Sequence, residues 1–181
     1  MKFFEDKKEK LRNFFWKLKV ERSMSSNVRF RQSTNLERAK TVGIYAVYSN
    51  DEQFNTVVSF AKNMRQLGKT VKMLVYFPTL QDTVESIDKL LPSQINFKKF
   101  PKNTAVEVQR FLHEDFDIFF DTSLQFHYID VSVTSSSNAK FKVGKEGIWN
   151  SQVNDFSLSF RDGASQEEAL QTMVNYLSVF S

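Results

Sequence analysis

The side chains best suited to chemistry lie close together in the second half of the chain. Asp121, Thr122 and Ser123 follow an apolar run, and His127 comes four residues after Ser123. Enzymes combine carboxylates, hydroxyls and imidazoles in nucleophilic and general acid–base catalysis. Nearness in sequence does not define a catalytic triad, however. We expect Asp121 to be a hydrogen-bond acceptor at a strand end, with a ligand contact or a catalytic acid as the alternative.

Composition limits the other chemistries. The absence of cysteine excludes thiol nucleophiles, disulfides and cysteine-ligated metals. His113 is the only other histidine, and its place near a predicted helix end indicates favourable helix-end electrostatics rather than a metal site. Neither GxGxxG nor GxxxxGK[ST] occurs. We therefore expect no metal, no cofactor and no nameable catalytic residue, and whether the protein is an enzyme stays uncertain, with the balance against it.

Apolar segments alternate with helical patterns from residue 40 onward. Residues 41–48, 71–77 and 116–120 are apolar on both faces, which predicts central strands covered by helices on both sides. Segments 94–100 and 139–144 carry lysines on one face and are typical of edge strands. We interpret Lys140, Lys142 and Lys145 as a solvated edge face, with anion contact as the alternative. Residues 156–160 predict a sixth strand at an edge, of unassigned direction.

Helices are predicted between these strands. Asn50 and the pair Ser165 and Glu168 have the residue types of helix N-caps. The predicted helices start at Asn50 and Ser165 and also cover residues 80–91, 104–112 and 124–133. Together the elements predict an α/β fold, a three-layer Rossmann-like sandwich. Its mostly parallel sheet has five to six strands, in the order third, second, first, fourth, fifth.

Ligands of open α/β sheets bind beyond the carboxyl ends of the strands, where the strand order reverses. Here that point lies between the first and fourth strands. The predicted crevice is lined by Ser49, Asn50, Asp121, Thr122, Ser123 and His127. We expect Asn50 and Ser123 to cap helices, and Asp51 and Glu52 would repel a pyrophosphate.

The N-terminal segment is basic and amphipathic. Residues 1–40 carry a net charge of +7 and the remainder −3, which gives the total of +4. On a wheel of about 100° per residue, one arc of about 120° holds most apolar residues of segment 2–22. This aromatic face consists of Phe3, Phe4, Leu11, Phe14, Phe15 and Leu18. Lysines and Arg12 flank the arc and the acids lie opposite, although Lys7 falls inside the arc and Trp16 points away from it.

Three hypotheses follow for this helix. It packs on its own domain, on a second copy or other protein partner, or reversibly on a membrane surface. Nucleic acid is a weaker alternative. We expect residues 1–22 to form the helix, 23–39 a linker and 40–181 a single domain. No apolar run approaches the length of about 20 residues that a membrane span needs. The expected location is therefore the cytoplasm. Peripheral contact with the inner face of the membrane is the alternative.

Three stretches resemble a bacterial family of small proteins classed only as a domain of unknown function. They are Thr34–Ile44, Phe116–Ser123, and His127–Ile129 followed by Ser137–Gly144. This resemblance implies no activity. More faintly, Asp117–Asp121 and Ala139–Gly144 resemble the N-terminal half of heptosyltransferase-type glycosyltransferases. That second resemblance implies a nucleotide-sugar site, most of which the other half of those enzymes supplies.

The leading hypothesis is a non-catalytic binding or interaction module with a basic amphipathic N-terminal helix. The alternative is a nucleotide-sugar-binding or glycosyltransferase-related protein that lacks the second half-domain. In that alternative Asp121, Thr122, Ser123 and His127 would lie at the ligand site.

Overall fold

The protein is an α/β domain with helices on both faces of one sheet. Over the described residues this sheet has seven strands, five of which run parallel. A computed structural model describes residues 11, 14, 15, 17–25, 27–77, 83–86, 89–94 and 106–179. The predicted Rossmann-like sandwich is confirmed, with an N-terminal helix before it. Among the described residues, no helix is long and apolar enough to cross a membrane.

The described elements alternate between strands and helices, except for three successive strands between residues 70 and 94. In chain order they are α1 (17–25), β1 (Thr41–Val47), α2 (Asp51–Gln66), β2 (Thr70–Phe77), β3 (Thr83–Ser86), β4 (Lys89–Gln94), α3 (Val106–Leu112), β5 (Ile118–Asp121), α4 (Tyr128–Ser136), β6 (Phe141–Lys145), α5 (Asn150–Val153), β7 (Phe156–Leu158) and α6 (Gln166–Val179). The sheet order is β4-β3-β2-β1-β5-β6-β7. The strand order therefore reverses between β1 and β5, as the sequence predicts.

Each face of the sheet packs against its own helices. Ile44 and Phe120 belong to the core that α2 and α6 cover, whereas Tyr45 and Phe119 belong to the core under α3 and α4. Adjacent residues of one strand thus enter opposite cores, because side chains alternate across a strand. Asp121, one residue after Phe120, consequently faces α4.

The predicted helix starts at Asn50 and Ser165 are confirmed. Asn50 Oδ1 accepts a hydrogen bond from the backbone N–H of Gln53 at 2.9 Å. The backbone N–H of Glu168 donates to Ser165 Oγ at 3.1 Å, and Glu168 Oε2 accepts from the N–H of Ser165 at 2.9 Å. This reciprocal pair is a capping box, so α6 begins where its residue types indicate.

The region after β2 differs from the prediction. Where a helix is predicted over 80–91, the chain forms β3 and β4, and β3 pairs antiparallel with β2. The hairpin occupies the open edge of β2, and this pairing outweighs the helical spacing of the apolar residues. The predicted strand 94–100 overlaps β4 only at Gln94. Residues 95–100 and the cap residue Thr104 lie outside the described residues.

The interpretation of the lysine run as a solvated edge face is wrong. β7 pairs in parallel with β6 and forms the edge in its place, which also gives the direction of the last strand. Lys142 is buried and its Nζ donates to the carbonyl of Thr134. Lys140 Nζ binds Asp117 Oδ1 at 2.7 Å. The error arises because alternation in one strand does not reveal a short strand beside it.

Candidate functional site

A cavity of about 390 Å³ opens at the predicted crevice, beyond the carboxyl ends of β1 and β5. Four predicted residues line it, namely Ser49, Thr122, Ser123 and His127. Asn50 is absent from the lining because its side chain caps α2. Asp121 is fully buried and lies outside the lining. This cavity is called the crevice below.

The rest of the lining comes from segments that sequence reasoning did not assign to a site. The loop before α6 and its first turn contribute Phe160, Arg161, Asp162, Gly163, Ala164, Ser165 and Gln166, and further residues are Val47, Gln53, Leu124, Gln125 and Lys145. Gly163 has φ +75°, a left-handed conformation that glycine adopts without strain. The capping signal at Ser165 marks the start of α6 in the sequence. Nothing in the sequence indicates that this start lies next to the end of β5.

A buried pair of carboxyl groups lies beside the crevice. Asp121 Oδ1 accepts from the N–H of Ser123 at 3.1 Å, and its Oδ2 accepts from Thr134 Oγ1 at 3.2 Å. Asp130 Oδ1 accepts from the Tyr45 hydroxyl at 2.8 Å, and Oδ2 from the N–H of His127 at 3.0 Å. Both carboxyl groups are fully buried. The strand-end acceptor predicted at Asp121 is therefore present.

Burial raises the pKa of both carboxyl groups, and the charge of Asp121 raises that of Asp130 further. Burial and the nearby charge of Asp121 raise the pKa of Asp130 well above its usual range. Burial also raises the pKa of Asp121, although hydrogen bonds, among them those of Ser123 and Thr134, act to lower it. Two like charges at this depth would be costly, so the pair retains a proton to higher pH than an ordinary aspartate.

Unpaired polar atoms surround this pair. The Ser123 hydroxyl lies near enough to both carboxyl groups to lower their pKa, yet among the described residues its Oγ has no partner with hydrogen-bond geometry. The side-chain amide of Asn154 is likewise buried without a partner. Gly144 makes room for it, since a Cβ there would lie 2.6 Å from Asn154 Nδ2. Buried polar atoms without partners are uncommon in folded proteins.

The charged groups of the crevice are largely engaged. Lys145 Nζ donates to the carbonyl of Leu124 at 2.8 Å, and Arg161 pairs with Glu168. His127 is half-buried, and burial lowers its pKa, which favours the neutral imidazole. The aromatic ring of Tyr76 meets it edge to face at 6.4 Å between centroids.

The geometry provides no hydrolytic triad. Asp121 binds Ser123 and Thr134 rather than the imidazole of His127, and Asp130 binds only the backbone of that residue. The expectation that Ser123 caps a helix is wrong, because α4 begins later, at Tyr128. His113 directly follows α3 and is absent from the crevice lining. Over the described ranges, no group of three or more acidic or histidine side chains could hold a metal.

Asp130, beside the crevice, is a further residue that sequence reasoning missed. Its only signal is an acid between two apolar residues, Ile129 and Val131, in a segment that also fits an exposed helix turn. Recognising its burial requires knowing that Tyr45, 85 positions earlier, supplies a buried hydroxyl.

The N-terminal helix contacts the domain through one face and leaves the other exposed. Val20 is 2% exposed and packs in a cluster with Val131 and Val153, while Met24 and Trp149 pack against that cluster. The described members of the aromatic face are each at least 47% exposed, namely Leu11, Phe14, Phe15 and Leu18. Phe3 and Phe4 lie outside the described residues. The docking side is thus the face opposite the predicted apolar stripe.

The segment after the helix, expected to be a linker, is held on the domain. Asn27 Nδ2 donates to the carbonyls of Ser135 and Ser137 at 3.0 and 2.9 Å. Arg29 forms an ion pair with Asp155, in which its Nη2 donates to both carboxylate oxygens at 2.6 and 2.7 Å. The helix is therefore joined to the domain by a strap that is itself bonded to it.

Comparisons with known proteins identify the family. Neither the curated proteins nor the solved structures contain a match. The fainter resemblance to heptosyltransferase-type enzymes consequently gains no support. Residues 12–180 match the model of DUF6913, described as a family of unknown function. Since this match spans most of the chain, the protein belongs to that family of unknown function.

Proposed function

We propose that the protein is a non-catalytic interaction domain that lies on an acidic membrane surface through its N-terminal helix. The observation that carries this proposal is the orientation of the helix. Val20 and Met24 attach it to the domain, whereas Phe14, Phe15 and Leu18 remain exposed on its other side. An apolar face that its own domain does not cover is available for insertion into a lipid interface.

The charge pattern favours lipid as the occupant of this face. Residues 2–22 contain eight Lys or Arg and four Asp or Glu, a net charge of +4. On the wheel Lys10 and Lys17 border one side of the apolar arc, and Lys8 and Arg12 the other. Each cation near an anionic leaflet contributes about 1 kcal/mol to the free energy of membrane binding. Aromatic rings that insert into the lipid interface add the burial of apolar surface.

A second copy of the chain fits the same face less well. Two such helices would bring their flanking cations together, and like charges at an interface oppose association. Acidic side chains at the interface could offset this repulsion, but on the wheel the acids lie opposite the aromatic face. The membrane proposal therefore accounts for both the rings and the cations, and self-association accounts only for the rings.

Vesicle co-sedimentation of the full chain tests the proposal. We expect the protein to pellet with phosphatidylcholine vesicles that contain phosphatidylserine, and much less with phosphatidylcholine alone. Added salt should release it, because the charge contribution is screened. A double variant, Phe14→Ser with Phe15→Ser, should lose binding while its thermal unfolding midpoint stays unchanged, since both rings are exposed in the free protein.

The control removes exposed apolar side chains elsewhere. Phe126→Ser with Val179→Ser changes two exposed residues outside the helix and should leave vesicle binding intact. Equal pelleting with both vesicle types, or undiminished pelleting of the Phe14/Phe15 variant, would contradict the proposal. Concentration-dependent dimers that the same variant abolishes, without vesicle binding, would assign the face to self-association instead.

A further inference from the structure

We infer that the crevice binds a small, neutral, hydroxyl-rich molecule of the sugar or polyol class. The inference concerns the β1–β5 crevice alone and does not depend on the N-terminal helix. Its volume of about 390 Å³ suits a small ligand, since such sites measure about 300–1,000 Å³. The crevice lies beyond the strand ends, at the point where the strand order reverses. Open α/β sheets usually bind their ligands at this point.

The lining supplies neutral hydrogen-bonding groups. Besides the backbone of the Arg161–Ser165 loop, it presents hydroxyls and carboxamides, namely Ser49, Gln53, Thr122, Ser123, Gln125, Ser165 and Gln166. Three of them also bond within the protein: Thr122 Oγ1 donates to the carbonyl of Tyr45, Gln166 Nε2 donates to the carbonyl of Thr122, and Ser165 Oγ accepts from the N–H of Glu168. A sugar hydroxyl also donates and accepts, so each can pair with such a side chain without a proton transfer. Phe160 adds an apolar surface for the C–H face of a ring.

Ser123 gives the crevice a buried polar wall. It is 5% exposed and lines the crevice, and its hydroxyl lies close enough to Asp121 and Asp130 to lower the pKa of both carboxyl groups. Among the described residues, however, its Oγ has no partner with good hydrogen-bond geometry. A ligand hydroxyl at this point can therefore complete a bond that the protein alone makes only imperfectly.

Charge around the crevice disfavours an anionic ligand such as a nucleotide. Lys145 and Arg161 line the crevice, but Lys145 Nζ donates to the carbonyl of Leu124 and Arg161 pairs with Glu168, while Asp162 adds a negative charge to the lining. Two helices begin nearby, but their N-termini are occupied by the protein's own groups: Asn50 caps α2, and Ser165 with Glu168 caps α6. The first turns also carry acids, Asp51 and Glu52 in α2 and Glu167 and Glu168 in α6. A phosphate would therefore meet repulsion at both helix ends where it is usually bound.

Saturation-transfer difference NMR on the full chain tests this inference with four probes: glucose, ribose, myo-inositol and glucose 6-phosphate. We expect saturation transfer to at least one of the three neutral probes, and weaker binding of glucose 6-phosphate than of glucose. No transfer to any neutral probe would overturn the inference. Tighter binding of glucose 6-phosphate than of glucose would also overturn it, because the ligand would then be anionic.

Two matched variants locate the binding. Gln53→Ala removes a carboxamide from the crevice, and Gln66→Ala removes one from the exposed far end of the same helix. We expect the first to weaken binding about three- to tenfold, the usual effect of one hydrogen bond, and the second to leave it unchanged. Equal affinities for wild type and Gln53→Ala would place the ligand elsewhere, as would equal weakening by both variants.

Discussion

The hydroxyl of Tyr45 donates a 2.8 Å hydrogen bond to Oδ1 of Asp130, and neither side chain is exposed to solvent. This bond joins the central strand β1 to α4 across the face of β5. Burial, with the charge of Asp130 next in importance, raises the pKa of Tyr45 well above its ordinary value, so the phenol remains a donor. Because Asp130 Oδ2 also accepts from the N–H of His127, this bond links β1 to a residue that lines the crevice.

Tyr45→Phe should lower the free energy of unfolding by about 1–3 kcal/mol, because Asp130 Oδ1 would lose its donor in a buried place. Urea denaturation measures the change. Tyr48→Phe is the matched control, since the Tyr48 hydroxyl binds Asp51 at 2.7 Å in an exposed position. Its removal should change stability little. If both variants lost a similar free energy of unfolding, burial would not be what makes the Tyr45 hydrogen bond stabilising.

The central part of the fold could be predicted from the sequence because it depends on local signals that tertiary contacts reinforce. Strands apolar on both faces lie inside the sheet, and Asn50 and Ser165 cap helices as their types indicate. The hairpin formed by β3 and β4 could not be predicted in this way. Its residues have helical spacing, and only the open edge of β2 makes strand pairing preferable.

The candidate site could be predicted in position but not in composition. The strand order places the crevice after β1 and β5, and Ser49, Thr122, Ser123 and His127 line it. The contributions of Gln53 and Gln166 depend on how α2 and α6 pack on the sheet, which periodicity does not specify. For the N-terminal helix, the aromatic face was evident from the wheel. That the domain binds the opposite face, through Val20, was not.

Lys142→Met should alter the pH dependence of stability in a defined direction. Burial and the nearby charge of Arg29 lower the pKa of Lys142 well below 10.5, although Asp155 acts to raise it. The unfolded chain therefore binds more protons than the folded one between the folded and unfolded pKa values. Within that window the wild type gains stability as pH rises. As pH rises to about 10.5, the wild type should therefore gain unfolding free energy relative to Lys142→Met.

Urea denaturation across the alkaline range measures this shift. Lys62→Met, at an exposed position of α2, is the control and should differ from wild type by a constant amount. A difference for Lys142→Met that also stays constant with pH would mean that the buried amine titrates normally.

Asp117→Asn should show a pH dependence of the same sign, but in acid. Burial acts to raise the pKa of Asp117, but Lys140 and the backbone N–H groups of Lys40 and Thr41 lower it to about 2. Its contribution to stability is complete above about pH 3.8 and is lost as pH falls through about 2. The variant should be less stable than wild type at neutral pH, and this gap should close in acid. Asp115→Asn, at an exposed position nearby, should show no such convergence.

Arg29→Met should cost about 3 kcal/mol of unfolding free energy, because it breaks a buried ion pair and leaves Asp155 without its main cation. Arg31→Met is the matched control. Arg31 is 67% exposed and 3.9 Å from the same carboxylate, whereas Arg29 is 5% exposed, so we expect little change from the control. Because Arg29 also donates to the carbonyls of Ala139 and Lys140, its loss should loosen the strap that positions the helix. Hydrogen exchange should then rise at Val20 and Met24 in Arg29→Met alone, and unchanged exchange there would mean that Val20 and its neighbours hold the helix without the strap.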